Sequence, residues 1–270
     1  MPDSHSSTMT VPRPRVAVHK FSSCDGCQLA LLNAGEDLLS LAGRVDFVHF
    51  AEAGPVDPEA EADIALVEGS VATPEDVERI QRVRANSRYL ITIGACATAG
   101  GLQALRNTAD ADAWVRAVYA SPEHISSLAT STAIGEHVKV DFEIWGCPVS
   151  GREVLAAIAS LLGGAVPARE QGKVCLECKR QRAVCVMVAK GLPCMGPVTQ
   201  TGCGALCPTH GRDCYACYGP GENPNTAAQG RRLRELGLAP AAVSRRFSFI
   251  DSQAPAFREA GRYWQEQADD

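Results

Sequence analysis

Between residues 16 and 163, short runs of apolar, often β-branched residues alternate with longer segments in which apolar residues recur every three or four positions. The short runs predict buried β-strands, and the longer segments predict helices that lie between them. The predicted strands are residues 16–18, 45–48, 64–67, 89–93 and 138–145. The predicted helices are residues 28–41, 74–85 and 149–162.

This alternation predicts an α/β fold, in which parallel strands form one sheet and helices cover its faces. We therefore expect a flavodoxin-like open parallel sheet over residues 15–165. One helix boundary is specified in detail, because Thr73 can cap a helix that begins at Pro74 and continues with acidic residues in its first turn.

The pattern changes after residue 165, where cysteine, glycine and proline become frequent and periodicity is lost. Such a composition is expected where metal clusters replace part of a hydrophobic core. We expect a loop-rich iron–sulfur domain over residues 166–221 and a peripheral helical tail over residues 222–270. Residues 1–14 are mostly polar and are expected to form a disordered tail.

Four of the twelve cysteines are far apart in the sequence, yet all of them follow predicted strands. Cys24 and Cys27 form a CxxC motif after the first strand, Cys96 follows the fourth strand and Cys147 follows the fifth. The carboxyl ends of parallel strands share one edge of an open sheet, where ligands collect. The fold therefore predicts that these four thiols converge on one site.

The other eight cysteines are concentrated in the loop-rich segment; they are Cys175, Cys178, Cys185, Cys194, Cys203, Cys207, Cys214 and Cys217. Four thiolates hold one cubane iron–sulfur cluster, so twelve cysteines can hold three with none left over. The count predicts three [4Fe-4S] clusters and a role in electron transfer.

The composition limits the cellular compartment and the classes of partner that the sequence supports. The 270 residues are 46% apolar and 21% charged, with a net charge of −5, which argues against nucleic acid as a partner. No apolar run approaches the roughly 20 residues of a membrane span, and no apolar secretory segment is seen near the N-terminus. We expect a cytoplasmic protein, in which dense cysteine indicates metal or redox chemistry rather than disulfides.

The motifs resemble those of the small, electron-transfer subunits of nickel–iron hydrogenases. The resemblance covers about residues 16–219, and its segments are 23–28 (SCDGCQ), 67–70 (VEGS), 94–96 (GAC), 146–148 (GCP), 174–178 (VCLEC) and 194–199 (CMGPVT). Within that family the chain is most similar to the delta subunit of the cytosolic sulfhydrogenases, which exchange electrons with NADP. The methanogen-type soluble hydrogenases, which are not linked to NADP, resemble it almost as well.

The resemblance implies a role for each set of cysteines. The proximal cluster, bound by Cys24, Cys27, Cys96 and Cys147, would face the nickel–iron site of a separate large subunit. The distal cluster would be bound by Cys175, Cys178, Cys185 and Cys194, and the medial cluster by Cys203, Cys207, Cys214 and Cys217. An interleaved pairing of these last eight cysteines stays open.

The resemblance also implies further subunits that bind flavin, NADP and more iron–sulfur clusters. The chain lacks the motifs of a nickel–iron centre, so no complete active site is expected within it. Periplasmic relatives have a histidine ligand at the distal cluster and a proline at the medial one. This chain has Cys175 and Cys207 at those places, which implies three four-iron clusters.

Two other classes of protein compete with this interpretation. A zinc-stapled scaffold would also use CxxC pairs, although zinc ribbons do not explain Cys96 and Cys147. The related subunit of the respiratory quinone-reducing complexes carries adjacent cysteines, and this sequence has no Cys-Cys pair.

Glu68 and His210 are the polar residues whose roles the sequence leaves open. Glu68 follows the third strand, where it could be a hydrogen-bond acceptor or proton-relay carboxylate beside the proximal cluster, or could cap the next helix. His210 lies within the cysteine run, but the tetrads are complete without it. We therefore expect His210 at the surface.

Overall fold

The computed structural model describes residues 12–269, so most of the expected N-terminal tail lies outside the described residues. Its five strands are β1 Arg15–Lys20, β2 Asp46–Phe50, β3 Ala62–Glu68, β4 Ser87–Ile93 and β5 Phe142–Ile144. They form a parallel sheet in the order β2-β1-β3-β4-β5. This is the strand order of flavodoxin-like folds, so the predicted fold class is confirmed.

Twelve α-helices accompany the sheet in the described part of the chain. Those of the first domain are α1 Gly26–Leu32, α2 Glu36–Ala42, α3 Pro74–Ala85, α4 Ala95–Ala99, α5 Ala111–Val118 and α6 Gly151–Leu162. Those that follow are α7 Val174–Arg180, α8 Val186–Lys190, α9 Leu206–Thr209, α10 Thr226–Glu235, α11 Pro240–Phe247 and α12 Pro255–Asp269. Between residues 12 and 269, no helix is both long enough and apolar enough to cross a membrane.

Two predicted elements differ from the observed ones by more than two residues at a boundary. The helix predicted over residues 28–41 is two helices, α1 and α2, because the chain turns at Gly35, whose φ of 59° is left-handed. The strand predicted over residues 138–145 is confined to Phe142–Ile144, since β5 pairs with β4 only there. Helix α3 has the predicted bounds, and Thr73 and Asp76 form a capping box at its start.

The sheet is buried on both faces, as a parallel sheet must be. On one face, Val16, Leu66 and Ile93 pack with Leu31 of α1 and Ile158 of α6. The opposite face is covered by a second cluster, whose members are Phe21, Ala65, Val67, Val71, Ile80, Val83, Leu90, Ala97 and Ile134. This packing holds the carboxyl ends of the strands in fixed relative positions.

The last three helices pack on the cysteine-rich segment. Leu233 of α10, Phe247 of α11 and Trp264 of α12 share a hydrophobic cluster with Val174 and Met195, which lie beside Cys175 and Cys194. The expectation of a peripheral tail is therefore corrected: residues after 221 supply much of the apolar core that the cysteine-rich loops lack.

Candidate iron–sulfur sites

The loops that follow the strands are tied together at the carboxyl edge of the sheet. After β4 and β5, the backbone N–H of Ala95 donates to the carbonyl oxygen of Gly146 at 2.8 Å. After β1 and β3, Ser22 and Ser70 exchange backbone hydrogen bonds of 3.1 and 2.9 Å. The cysteines on these loops form what we call the edge tetrad, Cys24, Cys27, Cys96 and Cys147. The fold thus brings together the four residues that the sequence predicted.

Glycines let the backbone approach these thiols closely. A Cβ atom at Gly94 would lie 2.3 Å from the Sγ of Cys27, and one at Gly101 would lie 2.5 Å from the Sγ of Cys96. Both glycines have left-handed φ angles, of 88° and 62°. Only glycine fits at such positions, so the thiols sit in a cradle of bare backbone of the kind that an inorganic cluster requires.

The charge environment of the edge tetrad also suits a cluster. Burial raises the pKa of Cys96 to about 12, and the neighbouring thiol of Cys147 adds to the rise. Burial likewise raises the pKa of Cys27 and that of Cys147. Each of these thiols makes it harder for its neighbours to lose a proton. All four can be thiolates at once only if a positively charged group lies between them, and iron supplies that charge.

Glu68 holds the turn that carries Cys27. Its side chain is buried, and its two carboxylate oxygens accept the backbone N–H groups of Cys27 at 3.3 Å and Gln28 at 3.1 Å. At the start of α1 these N–H groups have no acceptor within the helix, and the side chain of Asp25 does not cap them. Glu68 therefore takes the place of the missing cap. Burial raises the pKa of Glu68, while the two N–H groups oppose that rise.

The alternative role for Glu68, as cap of the following helix, is wrong. That helix is α3, which begins at Pro74 and is capped by Thr73 and Asp76. Glu68 instead joins β3 to α1, a contact across 41 residues of sequence. It is a hydrogen-bond acceptor beside the edge tetrad, as the other interpretation expected.

Replacing Glu68 with alanine is expected to release the turn at Cys27. Two buried N–H groups would lose their acceptor, at a cost of about 1–3 kcal/mol each. We expect the edge-tetrad cluster to be lost roughly tenfold faster or more during anaerobic chelator challenge, followed by visible absorbance. Glu68→Gln keeps one acceptor oxygen and should show a smaller effect. Equal rates for both variants and the wild type would contradict this role.

The next four cysteines lie on α7, directly before α8 and in the loop after α8. They form the α7 tetrad, Cys175, Cys178, Cys185 and Cys194. A Cβ at Gly196 would lie 3.5 Å from the Sγ of Cys194 and 3.6 Å from that of Cys175, so this glycine faces both thiols. Burial raises the pKa of Cys178 to about 11, and Cys175 adds the next largest contribution.

The last four cysteines lie in loops and in the short helix α9. They form the C-terminal tetrad, Cys203, Cys207, Cys214 and Cys217. Burial raises the pKa of Cys217 to about 12, and Cys203 is the neighbour that adds most to it. The Sγ of Cys214 accepts the backbone N–H of Ala216 at 3.4 Å. His210 is exposed, as expected, and its Nδ1 lies 2.9 Å from the carbonyl oxygen of Leu206.

The C-terminal tetrad lies between the other two. Among the residues that raise the pKa of Cys217 is Cys147 of the edge tetrad, and among those that raise the pKa of Cys178 is Cys203. The backbone N–H of Cys214 donates to the Sγ of Cys194 at 3.3 Å. The C-terminal tetrad therefore neighbours both of the others, which places the three in series, and Cys24 and Cys185 are the exposed cysteines of the outer two.

Over residues 12–269, no three or more His, Cys, Asp or Glu side chains are grouped so that they could hold a single metal ion. A cubane makes a different demand from a single ion, because each thiolate binds a different iron atom.

Among the residues at these sites that sequence reasoning missed is Glu177. It is 8% exposed, and its carboxylate contacts the loop that carries Cys203. The only sequence signal for this role was an acidic residue between the two cysteines of a CxxC motif. That signal did not reveal its partners, because they lie 25 or more residues further along the chain.

A flavodoxin-like domain with four cysteines at the carboxyl edge of its sheet, followed by a cysteine-rich segment, is an arrangement suited to an iron–sulfur subunit for electron transfer. The protein family described as "NADH ubiquinone oxidoreductase, 20 Kd subunit" matches residues 24–161. Sulfhydrogenase 2 subunit delta of Pyrococcus furiosus is 35% identical over 223 residues, which make up 82% of this chain and 93% of that protein. The chain belongs to this family, as one of its hydrogenase small subunits, and the resemblance found in the sequence is confirmed.

Two further similarities bear on the type of hydrogenase. One subunit of the F420-non-reducing hydrogenase vhu of Methanococcus voltae is 29% identical over 76% of this chain and 82% of that protein. A solved structure of an NAD⁺-reducing [NiFe]-hydrogenase superposes with a TM-score of 0.54 at 29% identity. The superposition covers 58% of this chain and 96% of the chain in that structure.

Proposed function

We propose that this chain is the electron-relay small subunit of a soluble [NiFe] hydrogenase. It carries electrons between the nickel–iron site of a large subunit and a partner subunit that binds flavin and NADP. The observation that supports this most strongly is the serial arrangement of three thiol tetrads, with an exposed cysteine at each end. The complex is an oxidoreductase that acts on hydrogen, and this chain contributes the relay.

The residues present fit three [4Fe-4S] clusters. In this proposal the edge tetrad holds the proximal cluster, the C-terminal tetrad holds the medial cluster and the α7 tetrad holds the distal cluster. Such clusters accept and release single electrons when bound. The thiols that most raise the pKa of Cys175 and Cys178 belong to their own tetrad, which supports the contiguous partition there. Cys194 is the thiol that most raises the pKa of Cys214, so an interleaved pairing stays the alternative.

The chain's own groups hold the thiolates and set their surroundings. Backbone N–H groups of Cys214 and Ala216 point at the sulfur atoms of Cys194 and Cys214. Hydrogen bonds to sulfur and burial both adjust the reduction potential of an iron–sulfur cluster. Within the C-terminal tetrad, Cys214 is buried and the other three cysteines are partly buried, whereas each of the other two tetrads has one exposed cysteine.

The exposed end at Cys185 has the features of a docking face. Val184 and Val188 flank this cysteine with exposed fractions of 73% and 81%. Exposed cations lie near them in the sequence, namely Lys179, Arg182 and Lys190, while the nearby Arg180 is paired with Glu170. In a chain with a net charge of −5, this local positive charge favours a partner subunit with an acidic rim. The exposed end at Cys24 would face the large subunit.

The similarity to sulfhydrogenase subunit delta supports an NADP-linked complex. A cytoplasmic location is part of the same proposal. A methanogen-type hydrogenase, which does not use NADP, is the second candidate, supported by the similarity to the F420-non-reducing hydrogenase of Methanococcus voltae. The partner subunits decide between the two. Co-purification of a flavin-containing subunit that reduces NADP⁺ with hydrogen would select the first, and its absence from an active complex would select the second.

Metal analysis of the anaerobically purified chain tests the clusters. We expect about twelve iron atoms and about twelve acid-labile sulfides per chain, a brown colour, and interacting cubane signals in electron paramagnetic resonance after reduction. Zinc in place of iron, in colourless protein, would show a zinc-stapled scaffold. Iron near four per chain would show that only the edge tetrad holds a cluster.

A further inference from the structure

Glu177 lies between two predicted ligands of one cluster but contacts the loop of another. It is on α7, between Cys175 and Cys178, and it is buried. Its carboxylate points to residues 202–205, which carry Cys203 of the C-terminal tetrad. The two tetrads are thus joined by one side chain.

Three backbone N–H groups converge on this carboxylate. Its Oε1 accepts the N–H groups of Gly202 at 2.8 Å and Gly204 at 3.1 Å, and its Oε2 accepts that of Ala205 at 3.1 Å. Oε2 also lies 3.7 Å from the Sγ of Cys203. Hydrogen bonds to an ionised acceptor are about twice as strong as neutral ones, so the loop is held firmly.

The loop needs such an acceptor because of its shape. Gly204 and Ala205 have left-handed φ angles of 66° and 55°, and successive N–H groups in such a turn point to one side as an anion-binding concavity. Ala205 is completely buried, so water is not available to replace the carboxylate there. Each N–H left without an acceptor would cost about 1–3 kcal/mol.

We propose that Glu177 is a positioning residue, which fastens the Cys203 loop to α7 and thereby makes the C-terminal cluster site depend on the α7 site. This inference rests on the proposed function, because it takes both tetrads to hold clusters. Glu68 shows the same arrangement at the edge tetrad, where a buried carboxylate binds the backbone of a turn that carries Cys27. The negative charge of Glu177 beside Cys203 also favours the oxidised, less negative form of the nearby cluster.

Glu153 provides a matched control. It faces the same loop, since a Cβ at Gly202 would lie 2.8 Å from its Oε1. Among the described residues it accepts no hydrogen bond from residues 202–205, so its replacement changes the local charge without releasing the loop. Burial and the charge of Glu177 raise the pKa of Glu153 to about 7, so the comparison is made at about pH 8, where Glu153 is mostly ionised.

The experiment compares Glu177→Ala, Glu177→Gln and Glu153→Gln in the anaerobically purified complex. Iron, acid-labile sulfide and a redox titration followed by electron paramagnetic resonance are measured for each. We expect Glu177→Ala to lose about one third of its iron, the share of one cluster in three. Glu177→Gln should retain iron but show an altered signal and a higher potential for one cluster, whereas Glu153→Gln should retain the wild-type signal.

Two results would overturn the inference. One is full iron and an unchanged spectrum in Glu177→Ala. The other is an equal shift of potential in Glu177→Gln and Glu153→Gln, which would show an effect of charge alone. If Glu177→Ala gives no soluble protein, a Glu177→Gln spectrum and potential identical to the wild type would also overturn it. The iron content of the wild-type chain tests the proposed function separately. If that function is wrong, the wild-type chain itself will lack the iron of three clusters.

Discussion

Replacing Cys96 with alanine is expected to stop electron transfer through this subunit while leaving the partner's nickel–iron site assembled. Cys96 is one of the four thiols at the carboxyl edge of the sheet, and the thiol of Cys147 is its neighbour. Loss of a residue that only supports a metal ligand costs about 10–100-fold in affinity or activity. Loss of a ligand should therefore lower hydrogen-dependent dye reduction by the complex at least about 100-fold.

Two further measurements locate this defect in the relay. Nickel content of the complex and hydrogen–deuterium exchange report on the large subunit alone, and both should persist in Cys96→Ala. His210→Ala serves as the control within the cysteine-rich segment, because His210 is exposed and we expect wild-type dye reduction. Undiminished dye reduction in Cys96→Ala would remove Cys96 from the electron path, and loss of nickel would show a role in assembly instead.

The fold and the edge tetrad could be predicted from sequence because both follow from the same geometry. Apolar runs located the strands of a parallel sheet, and cysteines that follow strands must meet at its carboxyl edge. Cys96 and Cys147 are therefore neighbours despite 50 intervening residues. The break at Gly35 was harder to see, because the apolar pattern continues from α1 into α2 and only the glycine interrupts it.

The order of the tetrads and the role of Glu177 could not be obtained in this way. Both depend on contacts between loops that have no periodicity, so no spacing rule relates Glu177 to the N–H groups of Gly202 and Gly204. Glu68 was easier, because its place after β3 put it at the carboxyl edge beside the edge tetrad. A carboxylate that follows a strand has a predictable neighbourhood, whereas one within a cysteine-rich turn does not.

The packing of the last three helices did leave a signal in the sequence. Val243 and Phe247 are four residues apart, and Phe257, Ala260 and Trp264 follow at intervals of three and four, which is the spacing of a buried helix face. All five residues belong to the hydrophobic cluster that also contains Val174 and Met195. The aromatic rings of Phe247 and Phe257 lie 5.8 Å apart between centroids. These helices are thus the apolar support of the segment that carries the α7 tetrad and the C-terminal tetrad.

Replacing Phe247 with alanine is accordingly expected to destabilise the cysteine-rich segment. Phe247 is 1% exposed, and such a truncation in a packed core costs about 3–5 kcal/mol. We expect the thermal midpoint for loss of visible absorbance to fall by roughly 10 °C, with the C-terminal clusters lost before the edge-tetrad cluster. Phe249→Ala is the matched control, because Phe249 lies two residues further on and is 43% exposed. Equal midpoints for the two variants would show that the helices after residue 221 do not support the cluster sites.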